Sequence, residues 1–317
     1  MPATTPRSFA RPIPASQARS RAQQIVDTNR DRIEDGVIGG GKQELVRILV
    51  HAQKQIEARF AREIARRGDE TWTAADLQAS LVQVRIALAQ IEPKLTDLLA
   101  KNAELAKELG AKSVVDLLRY FEQETGGGLR PLSIRPALAL THPMLGRYAT
   151  SVDRYGRAMI GMIARELQAG VVRGATFEEM TDMLVGKRGP RGIVSMAAKE
   201  IRAGEVVRTR TAMIEEGLFV RHRGWAERIV RTEGMRAYAE GAQEELVEQR
   251  AKNFPDLKRK LIETFDKRTG WDSYKAHGQV RGLNEPFVDG AGRVYLLPPG
   301  RPNDRAVVIP YREAWDE

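Results

Sequence analysis

Residues 77–109 read LQASLVQVRIALAQIEPKLTDLLAKNAELAKEL. Leu77, Leu81, Val84, Leu88, Ile91, Leu95, Leu98, Asn102, Leu105 and Leu109 follow one another at alternating intervals of four and three. That spacing keeps one helical face apolar over many turns, so the stretch predicts a long helix whose seam needs a partner helix. Thr73 is the candidate N-cap, because its hydroxyl can accept from a first-turn amide. Pro93 removes a backbone donor, which predicts a kink or a restart. Asn102 on the seam would set register. The first-choice partner is the helix at 43–67, where Leu45, Leu49, Ala52, Ile56, Phe60 and Ile64 share a face, folded back as a hairpin. Self-association through the 77–109 heptads is the alternative.

Toward the N-terminus, Gly36 to Lys42 (GVIGGGK) has the glycine and lysine skeleton of a phosphate loop. Gln43 stands where a magnesium-holding hydroxyl is needed, and NRDRIED before it is too polar for a buried strand, so the segment reads as a flexible joint. Residues 1–22 carry Pro2, Pro6, Pro12 and Pro14, scattered arginines and few large apolar side chains. Such a composition does not offset the entropy of ordering. Residues 1–35 are therefore read as a flexible basic, proline-rich arm, 36–125 as a helical hairpin domain with a third helix at about 114–124, and 126–146 as a linker. The linker rests on Gly126, Gly127, Gly128, Pro131, Pro136 and Pro143.

From 147 to 317 a second domain is expected. A helix at 147–170 leads to a turn at Gly170–Gly174. Thr176-Phe177-Glu178-Glu179 has the form of a capping box. Lys187, Arg188 and Arg191 lie on a loop with Gly189, Pro190 and Gly192, where mobile cations can grip DNA phosphates without reading bases. Helices are predicted at 193–216 and 223–250. Helical periodicity stops near Phe265. Short strands follow at 285–288, 294–297 and 306–309, with Asp289-Gly290 as a hairpin signal. The fold class is thus α+β and mainly helical: an N-terminal coiled-coil-like hairpin, then a domain of helices with a small antiparallel sheet.

Composition narrows the chemistry. The 317 residues include no cysteine and 4 histidines, and the formal net charge is +9. Disulfides, thiolate metal sites and cysteine nucleophiles are excluded, and neither a metal nor any other cofactor is expected. The positive charge favours a polyanionic partner, either nucleic acid such as double-stranded DNA or an acidic protein surface. No apolar run is long enough to span a bilayer, and arginines interrupt the N-terminal stretch, so neither a membrane partner nor a secretory signal is expected. Arg231, Glu233, Asp266 and His277 are the residue types of an acid–base cluster. Residues two apart on a helix do not share a face, and no nucleophile neighbours His277, so fold-maintaining hydrogen bonds are the preferred role and no catalytic residue is assigned.

Four pieces, in order, carry a resemblance. They are Gly170 to Gly174 followed by Thr176-Phe-Glu-Glu-Met180; Arg231-Thr232-Glu233 with Ala237-Tyr238 and Gly241; Asp266-Lys-Arg268-Thr269 with His277-Gly278; and Pro298-Pro299-Gly300-Arg301-Pro302-Asn303-Asp304-Arg305. Together they resemble the phage head morphogenesis (Mu F-like) family of minor capsid proteins over residues 150–317. The chain departs from the family pattern: Ala239 stands for the usual Asn, Arg301 for a His, and Asp304 and Ala306 for two Cys. The resemblance implies a minor head protein in the virion, at the head interior or portal vertex, present in the host cytoplasm during assembly. It implies the portal protein and capsid shell as partners and no catalysis. Structural roles fall on Arg231, Thr232, Glu233, Tyr238, Asp266, Arg268, Thr269, His277, Gly278, Pro298, Pro299, Asp304 and Arg305. Where the cysteines are lost, Asp304 and Asp266 are expected to pair with Arg268, Arg301 or Arg305. The alternative functions are a non-sequence-specific DNA-binding protein and a helical adaptor or scaffold that does not touch DNA.

Overall fold

The 77–109 seam lies within one continuous helix of 51 residues, α3 (Ala74–Glu124), in a computed structural model that describes residues 21–67, 70–124, 142–176, 178–180, 182, 223–265 and 269–315. Pro93 sits inside α3 without ending it. Thr73 caps the helix as expected: its Oγ1 accepts from Asp76 N at 3.2 Å, and the Asp76 carboxylate accepts from Thr73 N at 2.9 Å. Arg67 closes the same corner with two hydrogen bonds to Asp76, at 2.8 and 3.2 Å. The doubly bonded guanidinium holds Asp76 down at about 2.

The helical part begins earlier than composition suggests. Helix α1 (Arg21–Asp31) runs through a π-helical segment (Arg32–Ile38) into α2 (Gly39–Arg67). Val26, Ile33 and Ile38 are buried. Residues 21–35 are therefore not an arm, and Gly39 to Gly41 are wound into helix rather than a joint. Periodic burial of Val26, Ile33 and Val37 offsets the entropy that the glycines add. The π segment shifts the register of this buried face between α1 and α2. Residues 1–20 lie outside the described part of the chain, as do residues 125–141 of the expected linker. Residues 142–146 are not linker but the first turn of α4 (His142–Val172).

The chain forms two units, each assembled from separated segments rather than from successive halves. One comprises residues 40–100 and 141–230. It is helical, and its core is apolar. Helix α4 contributes Met144, Tyr148, Val152, Tyr155, Met159, Ile163 and Leu167, all buried at intervals of three and four. Helix α3 contributes Leu81, Val84, Leu88, Ile91, Leu95 and Leu98, and α2 contributes Leu45, Leu49, Ala52 and Ile56. Leu45, Leu95, Val152, Tyr155 and Ala226 line one small apolar gap, so α2, α3, α4 and the start of α5 (Arg223–Lys252) meet there. The Trp225 ring stands edge-on to Tyr155 at 5.9 Å. The expected turn and capping box are present: Gly174 has φ +69, Glu179 N donates to Thr176 Oγ1 at 3.2 Å, and Thr176 N donates to the Glu179 carboxylate at 3.0 Å.

The other unit comprises residues 1–39, 101–140 and 231–317. Here the seam of α3 turns: Leu105 is exposed, whereas Ala103, Ala106 and Ala111 are buried. A straight helix drifts about 20° per heptad, and the small residues take over the buried face. This permits a close crossing of α3 and α5. A Cβ on Gly110 would run into the Tyr238 carbonyl, and one on Gly241 into the Lys107 carbonyl. Against the crossing lies an antiparallel sheet in the order β2-β1-β5, formed by β1 (Lys258–Ile262), β2 (Val280–Arg281) and β5 (Val307–Tyr311). A hairpin of β3 (Phe287–Val288) and β4 (Val294–Tyr295) pairs Phe287 with Tyr295. Leu118, Leu246, Leu257, Leu261, Phe287 and Val308 share this core. Pro310, opposite Arg259, is tolerated because β5 is an edge strand. Among the described residues no helix is long and apolar enough to cross a membrane.

Sequence periodicity misses β1, and the reason is Arg259. Lys258-Arg259-Lys260 has the look of a solvated basic run, yet Arg259 is fully buried. Its guanidinium donates to the Gly282 carbonyl at 3.3 Å, Gln243 Oε1 at 2.9 Å and the Glu285 carbonyl at 2.5 Å. It also lies 4.8 Å from the Phe287 ring centroid. Desolvation pulls it down to about 10, which leaves it charged at neutral pH. The cation thus ties α5, β1 and the loop before β3 together through acceptors that would otherwise be buried alone.

Candidate functional site

Thr264 and Glu263 follow β1, Thr269 and Gly270 precede the short helix α6 (Trp271–Ala276), and residues 301–305 precede β5. These three segments and Arg231 of α5 line an open polar cavity of about 330 Å³. Its lining includes Arg231, Arg301 and Arg305, the carboxyl groups of Glu263 and Asp304, and Thr264, Thr269 and Ser273. Residues singled out from three separate stretches of sequence thus meet around one space.

The loop 298–305 is held by Asp304. Its carboxylate accepts from Gly300 N at 3.0 Å and from Ala306 N at 3.1 Å. The expected pairing of Asp304 with Arg301 or Arg305 does not form. Both carboxylate oxygens cap backbone amides of their own loop, a shorter-range use that needs no long side chain ordered. Asn303 adopts φ +63, and its amide donates to Thr232 Oγ1 at 3.4 Å, which links the loop to α5. Pro298 and Pro299 are buried and joined by a cis peptide bond. Arg301 donates to Ser273 Oγ and stands 3.9 Å from Asp272. Asp272 is held more tightly by Arg293, at 3.1 Å, so Arg301 is only loosely neutralised. Gly270 leaves room for this guanidinium: a Cβ there would sit 3.3 Å from Arg301 Nη1.

Glu263 is the residue that sequence reading passed over. It is 6% exposed, and among the described residues its carboxyl has neither a hydrogen bond nor an ion pair. Burial, with Asp304 nearby, pushes it up to about 8. It is therefore mostly a neutral acid at pH 7 and can donate a hydrogen bond into the cavity. No sequence signal marks it, since a Glu after Lys-Leu-Ile reads equally well as the polar face of a continuing helix.

The remaining described motif residues make bonds within the fold. Arg231 pairs with Glu34 at 3.5 Å rather than with Glu233. Glu233 accepts from Arg236 at 2.8 Å. Tyr238 is buried beneath the α3–α5 crossing, where desolvation pushes its phenol up to about 12. Thr269 Oγ1 donates to the Thr264 carbonyl, and Thr264 Oγ1 donates to the Arg305 carbonyl at 3.2 Å. His277 Nδ1 accepts from Glu263 N at 3.1 Å, and its ring packs edge-on against Phe265 at 4.5 Å. That acceptor role requires an unprotonated Nδ1. Desolvation, Lys260 and Arg30 hold the imidazole below its ordinary value in agreement. Gly278 has φ +79 and donates to the Leu261 carbonyl at 2.8 Å, which closes the turn into β2. Arg231, Glu233 and His277 thus each answer to a different partner. Asp266 and Arg268 lie outside the described residues, as do Lys187, Arg188 and Arg191 of the basic loop.

No group of three or more metal-ligating side chains occurs among the described residues. No protein-family model, no curated protein and no solved structure matches the chain.

Proposed function

We propose that the chain is a minor head protein of a tailed phage or prophage that assists procapsid assembly at the portal vertex and contacts the packaged DNA. One observation carries the reading. Pieces chosen from the sequence for their order and spacing meet in space: Arg231, Thr269, Asp304 and Arg305 line one cavity, and Gly241 makes the helix crossing beside Tyr238. The loss of the cysteine positions fits the same reading, because Asp304 closes the loop by capping the Gly300 and Ala306 amides.

In this reading the protein acts by docking, not by catalysis. The portal and the shell are its protein partners, and its net charge of +9 suits it to lie against DNA. Mass spectrometry of purified particles and procapsids is the test. The chain is expected in both, at low copy relative to the shell protein, and its deletion is expected to lower the yield of filled heads. Absence from both, with an unchanged yield, removes the proposal. A steep salt dependence of binding to free DNA without portal association would favour the DNA-binding alternative.

A further inference from the structure

We propose that the cavity between Glu263, Arg231, Arg301 and Arg305 is a binding site for a phosphate-type oxyanion. The inference stands apart from the head-protein reading and rests on the geometry of one unit. Glu263 is buried, has no partner among the described residues and faces the cavity. Its carboxyl oxygens are not sealed from solvent, so a ligand that enters the cavity can reach them. What arrives must suit the rest of the lining.

A cation does not suit it. The Asp304 oxygens are taken by the Gly300 and Ala306 amides, and Arg231, Arg301 and Arg305 share the lining. An oxyanion does. Arg301 spends one N–H on Ser273 and lies loosely against an Asp272 that Arg293 already holds, so further donors remain for a ligand. A planar guanidinium offers parallel N–H groups that match the oxygens of a phosphate. The neutral Glu263 carboxyl adds a donor to the lining. A volume of about 330 Å³ leaves space for the group that carries the phosphoryl, so a free ion and the phosphorylated end of a nucleic acid are both admitted sources.

Glu263 makes the site pH-sensitive. The groups acting on it are Asp304 and Asp289, which favour its protonated form, and Arg301 and Arg30, which oppose that. Above about pH 8 Glu263 ionises, the donor is lost and a negative charge faces the ligand. Affinity for an anion is therefore level below that pH and falls above it.

The experiment is calorimetric titration of the full chain. Sulfate is the probe for the pH profile, because its own charge is constant over the range. Inorganic phosphate and a 5′-phosphorylated oligonucleotide, with its 5′-hydroxyl counterpart, distinguish the sources at pH 7. Sulfate binding at pH 7 should weaken about tenfold or more in Arg301→Met, the loss of a charge-assisted pair. Glu263→Gln keeps a neutral donor: binding at pH 7 should persist, while the fall above pH 8 should vanish. Oligonucleotide binding that depends on the 5′-phosphate and on Arg301 assigns a nucleic-acid end, and binding of phosphate alone assigns the free ion. The proposal is overturned if folded wild-type protein binds none of these anions, or if Arg301→Met binds them unchanged. It is also overturned if Glu263→Gln retains the fall above pH 8. Should Arg301→Met fail to fold, the Glu263→Gln profile decides alone.

Discussion

The two units bury different chemistry. In the unit of residues 40–100 and 141–230, Leu88, Ile91, Tyr155 and Met159 fill the interior, and charged side chains such as Arg157 and Asp153 pair at the surface. In the other, Arg259, Glu263 and Asp304 are buried along with the leucines. The first kind of core is non-directional, so any helix with the correct stripe can join it. The second is directional: Arg259 fits only where three acceptors converge, and Asp304 only where two amides do. The difference teaches where function is to be sought. A core held by packing tolerates exchange of apolar side chains, whereas a polar core that opens onto a cavity reserves a place for a ligand.

The largest expected effect tests whether the polar unit also depends on tight packing. Gly241→Val places a side chain against the Lys107 carbonyl. A backbone obstacle yields less than a side chain, so a loss on the order of 4 kcal/mol is expected in urea denaturation, at the upper end of overpacking effects. A loss below about 1 kcal/mol would mean that α3 and α5 do not cross this closely. Leu88→Ala makes the corresponding cut in the apolar unit. Leu88 is 1% exposed, and about 3 kcal/mol is expected from lost transfer energy plus a cavity. Hydrogen exchange should place the damage in α2, α3 and α4.

Arg259→Met separates the two kinds of core most directly. The methionine keeps the apolar contact with Phe287 but leaves the Gly282 and Glu285 carbonyls without this donor. A loss of about 2 kcal/mol is expected from the unsatisfied acceptors. An unchanged midpoint would make the burial of Arg259 incidental.

The pH-dependent effect is the most diagnostic. Glu263 sits at about 8 in the folded protein against an ordinary 4.5. Its raised value means that the folded state holds the proton over that window while the unfolded chain has released it. The stability associated with that proton is fully present below about pH 4.5 and is lost as pH rises through about 8. The slope approaches ~1.4 kcal/mol per pH unit at its steepest. Glu263→Gln should remove this slope, so the variant gains on the wild type as pH rises. Parallel stability profiles for the two proteins would place Glu263 in water instead.

Helices declare themselves through period. The stripe at Leu81, Val84, Leu88, Ile91, Leu95 and Leu98 marks α3, the Thr73 and Thr176 caps mark helix starts, and Asp289-Gly290 marks the β3–β4 hairpin. Each is a local pattern whose physical cause lies within a few residues of chain, and the mainly helical α+β class follows from them. The order of the motif pieces was legible in the same way.

Other features are not local, and only the tertiary structure decided them. Residues 21–35 have the composition of an arm, but they are helical because their few apolar side chains find a core. Lys258-Arg259-Lys260 reads as surface, but it is a strand because acceptors from α5 and the loop before β3 surround the middle side chain. Asp304 was expected to seek an arginine, but its own loop presents two amides first. Glu263 carries no mark at all in the sequence. Its burial, its lack of a partner and its raised affinity for a proton come from segments remote along the chain. The amino-acid sequence determined the helices and the turns, because those depend on neighbours. The charged interior and the cavity were decided by the fold, because a charge answers to whatever the rest of the chain brings within a few ångströms.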